Sequence, residues 1–102
     1  MGGQDMRQYV LVSYDIAEPR RWRKVYKMMQ GAGEHVQYSV FICQLTATQE
    51  AKLKVKLDNV VHSTEDQVMF VRIGPVSKDQ LQRQISTVGR EYCPRDLAKL
   101  FY

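Results

Sequence analysis

The chain has 102 residues, 44% of them hydrophobic and 25% charged, with a formal net charge of +4 at pH 7. That length predicts one compact domain, which would bury about two-thirds of the surface its unfolded chain exposes. No apolar run approaches the ~20 residues of a membrane-spanning helix, and the mild basic excess hints at nucleic acid.

The start of the chain is polar, without a signal-like segment. Residues 1–7 read as a flexible lead: MGGQD resembles a leader or cloning remnant, with Met6 as an alternative start. Cys43 and Cys93 form no CxxC and lack metal-ligand spacing. They read as reduced thiols of a cytoplasmic protein.

Tyr9 to Tyr14 is short, β-branched and aromatic, and predicts a mostly buried strand. Glu18-Pro19 opens a helix, because proline suits the first turn and an acid suits the positive end of the helix dipole. Trp22, Val25, Tyr26 and Met29 recur at i, i+3, i+4, i+7 and give this helix one apolar face. Gly31 and Gly33 are expected to stop it.

Val36 to Leu45 is strand-like. It reads as one bent strand or as two short ones reversing near Tyr38-Ser39, since no Asn-Gly or Asp-Gly marks a hairpin. Thr46 with Gln49 fits a capping box. Leu53, Leu57, Val60 and Val61 then form a second helical stripe, with Lys52, Lys54 and Lys56 off it. Glu65-Asp66 falls in a turn, and Val68 to Ile73 is a further strand ended by Gly74-Pro75. Ser77 with Gln80 suits the cap of a short helical turn, Gln84 to Val88 suits strand or helix, and CPRDLAKLFY closes the chain after a proline break.

The order β-α-β-β-α-β is ferredoxin-like, an α+β architecture with two helices on one face of an antiparallel sheet. The other face needs a cover. Tyr9, Tyr38 and Phe70 are candidates for it, register deciding, and a second copy of the chain is the simplest cover.

Asp15 ends the first strand, where functional groups are commonly displayed. It reads either as a solvated or turn-capping aspartate or as a magnesium ligand. Magnesium is often held by only one or two carboxylates plus substrate phosphate. A two-fold dimer bringing two Asp15 side chains together would supply a carboxylate pair able to hold a phosphate and activate a water. Arg20, Arg21, Arg23, Lys24 and Lys27 follow within eight positions with no acid among them. That run reads as a solvated helix face or as a phosphate-binding surface, and the dipole does not favour cations at a helix start. Arg83, Arg90 and Arg95 could extend it. Trp22 reads as core rather than as a base-stacking platform, and Tyr14 is open to either. Neither Tyr38 nor Phe41 sits in an RNP-type sequence. His35 and His62 lack ligand partners at metal spacing, and Ser39 lacks a triad context.

The stretch VSYDIAEPRRWRKVYKMMQGAGEHVQYSVFICQL resembles the CRISPR-associated Cas-two family of small nucleases. The resemblance rests on Tyr14-Asp15-Ile16, on the basic run Arg20 to Val25, and on Gly33 followed by Val36-Gln37-Tyr38-Ser39-Val40-Phe41. It is strong over residues 9–45 and weaker to residue 89. It implies a ferredoxin-like domain over residues 8–89, with an extra C-terminal strand at Gln84 to Val88 pairing with the partner protomer. Residues 90–102 would form a tail packed on the dimer. It further implies a homodimer with Asp15 of both copies at the cleft as catalytic metal ligand. Magnesium would be the cofactor, with manganese as an alternative, and Tyr14, Ser39 and Phe41 would support the site. The implied role is spacer acquisition, alongside the adaptation integrase and on DNA or RNA. Trp22 and His35 depart from the family pattern, standing where arginine is common.

Two activities follow: a metal-dependent endonuclease on RNA or double-stranded DNA, or a DNA-binding architectural subunit bridging the integrase. A more distant alternative is a ferredoxin-like toxin ribonuclease or a small-ligand regulatory module. The glycine-rich ligand loop of the latter is missing between Tyr14 and Arg20.

Overall fold

A computed structural model describes residues 6–92; expectations placed on residues 1–5 and 93–102, including Cys93, Arg95 and the CPRDLAKLFY tail, lie outside the described residues. The elements are β1 (Gln8–Asp15), α1 (Pro19–Ala32), β2 (Gly33–Gln37), β3 (Val40–Leu45), α2 (Ala47–Asp58), β4 (Gln67–Pro75) and a short α3 (Gln80–Gln84). Four antiparallel strands lie in the order β2-β3-β1-β4, the ferredoxin-like arrangement. No helix among the described residues is long and apolar enough to cross a membrane.

Strand alternation sorts β1 into two faces. Val10, Val12 and Tyr14 are buried under the helices, where they meet Phe41, Cys43 and Leu45 of β3, Val25 and Met29 of α1, and Leu53 and Leu57 of α2. Tyr9, Leu11, Ser13 and Asp15 point to the opposite, open face. Phe70 pairs with Val12 and packs on the core, so it belongs to the helix side and not to the open face. The open face takes Met69 and Val71 instead, about half exposed at 50% and 45%. A bulge between Tyr9 and Val10 shifts the β4 register by one residue.

α1 begins as its sequence dictates: Pro19 occupies the first turn, and the Glu18 carboxylate accepts from the Arg21 backbone N–H at 2.9 Å. Its end differs from expectation. The helix runs through Gly31 and stops only at Gly33, whose backbone is extended (φ −163°) rather than left-handed. Close approach explains this glycine, because a Cβ on Gly33 would lie 2.5 Å from Cys43 Sγ and 2.7 Å from the Ile42 carbonyl oxygen. Burial around that same thiol pushes the Cys43 pKa up to about 11.

Val36 to Leu45 resolves into two strands. Tyr38 turns the chain with φ +43°, a left-handed conformation suited to tight hairpins, and does so without glycine or asparagine. The capping box at α2 forms: Thr46 Oγ1 accepts from the Gln49 N–H at 3.2 Å and Gln49 Oε1 accepts from the Thr46 N–H at 2.9 Å. Val60 and Val61 lie past the end of α2 yet still pack against the core. Glu50, buried at the inner side of α2, pairs with Lys54 at 2.8 Å and Arg72 at 3.2 Å. Burial alone would raise its pKa; the two cations outweigh burial and hold it below the usual value.

The C-terminal part departs from the sequence reading. Asp79, not Ser77, stands at the N-cap of α3, in a left-handed conformation (φ +69°) and without a side-chain cap bond. Gln84 belongs to α3, and no strand forms at Gln84 to Val88 within the described chain. Ile85 is extended, and the expected pairing was with a second copy of the chain. This segment instead borders a cleft of about 810 Å³ with Leu11, Val40 and Ile42 on the open sheet face.

Candidate active site and nucleic-acid interface

Asp15 is the last residue of β1, exposed, and paired with Gln67 at the start of β4. By alternation from Val10, Val12 and Tyr14 it stands on the open face. The Tyr38-Ser39 turn closes the same end of the sheet, tied to β1 by the Tyr14 N–H donating to the Ser39 carbonyl at 3.1 Å.

The loop after Asp15 is clasped by a residue that sequence reasoning placed only in a turn. The Asp66 carboxylate accepts from the Ala17 N–H at 2.9 Å, the His62 N–H at 2.8 Å and the Arg21 Nε at 2.7 Å. Arg21 also reaches Glu65 at 3.1 Å. These partners cover the Asp66 side chain completely, although it lies at shallow depth. The Arg21 guanidinium, helped by the two backbone N–H groups, holds its carboxyl well below the usual carboxylate range. The clasp joins residues 45 and 49 positions apart, so no local spacing could have announced it. His62 completes this loop as a turn residue, its Nδ1 accepting from the Thr64 and Glu65 N–H groups.

Arg21 therefore leaves the predicted phosphate-binding set: two carboxylates occupy its guanidinium. Arg20, Arg23, Lys24 and Lys27 are exposed, and none forms an ion pair with an acid among the described residues. Their i, i+3, i+4, i+7 spacing makes one cationic stripe along α1. Trp22 sits on the inner side, stacked on Tyr26 with ring centroids 5.1 Å apart and packed against the core.

Of the three supporting residues, two are core. Tyr14 stacks on Phe41 at 6.2 Å, on the sheet face opposite Asp15. The Tyr14 hydroxyl is buried and finds no hydrogen-bond partner among the described residues. Burial raises the phenol pKa. Ser39 is half-buried in the turn and contributes its carbonyl to β1. His35 lies on β2 with its ring 4.9 Å from Phe41 and 5.7 Å from Tyr26.

Among the described residues no group of three or more acids, histidines or cysteines converges to hold a metal ion. The nearby acids Glu65 and Asp66 are engaged by Arg21. Among the described residues Asp15 is thus the uncommitted carboxylate at this end of the sheet. One carboxylate fits a hard, largely hydrated cation such as magnesium when substrate phosphate completes the donor set, and a second carboxylate from another copy would strengthen it. The half-exposed Met69 and Val71, on the same open face as Asp15, are apolar surface that such a copy would cover.

Comparison with known proteins bears on the family and the fold. A family model for CRISPR associated protein Cas2 matches residues 6–83. The chain is 34% identical over 89 residues to a CRISPR-associated endoribonuclease Cas2 of Geobacter sulfurreducens, covering 87% of this chain and 92% of that one. It is 41% identical over 76 residues to another protein of that name from Thermodesulfovibrio yellowstonii, covering 74% and 80%. Among solved structures it resembles Streptococcus pyogenes Cas2 with a TM-score of 0.66 at 29% identity, covering 79% of this chain and 99% of that one. It also resembles a hypothetical protein from Thermus thermophilus with a TM-score of 0.70 at 25% identity, covering 86% and 98%.

Proposed function

Because the chain belongs to the CRISPR-associated Cas2 family, we propose that it is a magnesium-dependent endonuclease that works as a homodimer on phosphodiester bonds of RNA or double-stranded DNA. The observation that carries this reading is the placement of Asp15, exposed at the end of β1 on the open sheet face and followed after a three-residue loop by the cationic stripe of α1. Relatives named endoribonuclease support the reaction class.

In this reading Asp15 of each copy faces its counterpart across the dimer axis. Magnesium or manganese, when bound between them, would neutralise phosphate charge and supply an activated water. The chain's own residues do the rest. Arg23 and Lys24 steady the phosphate backbone from α1, joined by Arg20 and Lys27. Asp66 and Arg21 fix the Ala17 backbone, so the loop between Asp15 and α1 keeps one shape. Hydrolysis would leave a phosphate monoester on one end and a hydroxyl on the other: the attacking water gives a proton to solvent as its oxygen bonds to phosphorus, and the leaving oxygen takes one up from solvent as the P–O bond breaks.

The test is Asp15→Asn, which removes a charge with little change in shape. It should lower magnesium-dependent cleavage by on the order of 10²-fold or more and leave oligonucleotide binding within a few-fold. Cleavage at the parental rate would remove Asp15 from the chemistry.

A second reading, a DNA-binding architectural subunit beside the adaptation integrase, is favoured by the stripe itself. Four exposed cations on one helix face need no metal to grip a duplex. Reversing Arg23 and Lys24 to Glu should then reduce the log–log salt slope of DNA binding by roughly 0.9 per lost phosphate contact. Under this reading Asp15→Asn is silent in every assay.

A further inference from the structure

Tyr38 is a misfit at its position. It is the most exposed aromatic side chain among the large hydrophobics of the described residues, at 87%. It also holds a left-handed backbone (φ +43°) at the tip of the β2–β3 hairpin. A glycine or asparagine would adopt that conformation with less strain and would expose no ring. Within one chain, neither packing nor turn geometry accounts for a tyrosine here.

The tip is nevertheless anchored. The Tyr38 carbonyl is hydrogen-bonded to His35 Nε2, and the His35 ring lies against Tyr26 and Phe41. The next carbonyl, that of Ser39, accepts from the Tyr14 N–H at 3.1 Å, one residue before Asp15. The ring is therefore presented to solvent from a braced turn, at the same end of the sheet as Asp15.

From this arrangement we propose that Tyr38 is a stacking platform for an unpaired nucleobase, at the end of the sheet that carries Asp15 and beside the cationic stripe of α1. The inference rests on the proposed nucleic-acid site. An aromatic face beside a cationic, phosphate-binding surface suits single strands: every base has a π-face, and stacking is tolerant of sequence. A duplex offers its bases only after they unstack. Tyr38 thus favours single-stranded or frayed substrate, while the α1 stripe serves any backbone.

The full chain is tested in metal-free buffer, where no cleavage intervenes, by fluorescence anisotropy with single-stranded RNA, single-stranded DNA and duplex DNA. The variants are Tyr38→Asn, Tyr38→Ala and Tyr38→Phe, with Arg23→Glu/Lys24→Glu as control. Tyr38→Asn is expected to match or exceed the parental melting temperature, because backbone strain is relieved. It should also weaken single-strand binding roughly ten-fold or more and leave duplex binding unchanged. Tyr38→Ala should show the same binding loss, and Tyr38→Phe should bind as the parent does. A loss confined to RNA or to DNA identifies the strand recognised.

Single-strand binding by Tyr38→Asn and Tyr38→Ala at parental affinity overturns the inference, as does an equal loss on single strands and duplex. A changed molecular mass of either variant also overturns it, because Tyr38 would then serve subunit contact. If the parent binds none of the three probes and charge reversal changes nothing, the proposed nucleic-acid site itself falls, and the stacking platform with it. If charge reversal weakens binding while Tyr38→Asn does not, the stacking platform alone is lost.

Discussion

The two faces of the sheet use the same alternation to opposite ends. On the helix side, Val10, Val12, Phe41 and Cys43 are fully buried beneath α1 and α2, and the aromatic rings of Tyr14, Phe41, Tyr26 and Trp22 pack edge to face or stacked. That face is complete within one chain. On the other, Ile42 is buried and Leu11 partly so, while Met69 and Val71 remain half exposed, and Asp15 stands at the rim. One side of each strand thus secures the fold, and the other keeps apolar and charged groups in contact with solvent. Asp15 and the half-exposed apolar surface share a face.

Substitutions on each face sharpen or break that division. Phe41→Ala, on the finished face, should cost about 3–5 kcal/mol in denaturant unfolding; a cost below about 1 kcal/mol would mean that this core is not close-packed. Gly33→Ala should cost roughly 1–3 kcal/mol, because its Cβ meets Cys43 Sγ and the Ile42 carbonyl, and strand pairing of β2 would loosen with it. A neutral result would mean that β2 approaches β3 less closely than described.

Asp66 lies at the boundary between the two faces, and pH reports on it. Its folded pKa is depressed, so its stabilising contribution is present above its unfolded value of about 3.9 and is lost as pH falls through the folded one. Asp66→Asn should therefore melt below the parent near neutrality, with the gap closing under acid conditions. A gap that is constant with pH would show that the carboxylate charge is not what the clasp uses. The smallest effect on the isolated fold belongs to the unfinished face. Val71→Lys should change monomer stability by no more than about 0.5 kcal/mol while reducing self-association, measured by sedimentation. An unaltered mass would place the subunit contact elsewhere.

Local chemistry made much of this legible. The i, i+3, i+4, i+7 face of α1, the Glu18-Pro19 start and the Thr46/Gln49 box are spacing rules that the chain obeys. Asp15 could be placed on a strand end because Tyr9 to Tyr14 reads as a strand from composition alone. What stayed hidden depends on distant partners or on register. Phe70 was a candidate for the open face until pairing with Val12 put it under the helices. Arg21 looked like its cationic neighbours, and only a carboxylate 45 residues away withdraws it from them. The hairpin at Tyr38-Ser39 was ambiguous because tyrosine is an uncommon choice for a left-handed turn. The strand expected at Gln84 to Val88 is one that pairs with a second copy, and the single chain forms no such strand.

The central claim is that Asp15 acts as one half of a shared site. Titrating manganese into the full chain by calorimetry tests it most directly. The account predicts one ion per two chains and no binding at that site in Asp15→Asn. One ion bound per chain, or the same stoichiometry after the substitution, would contradict it.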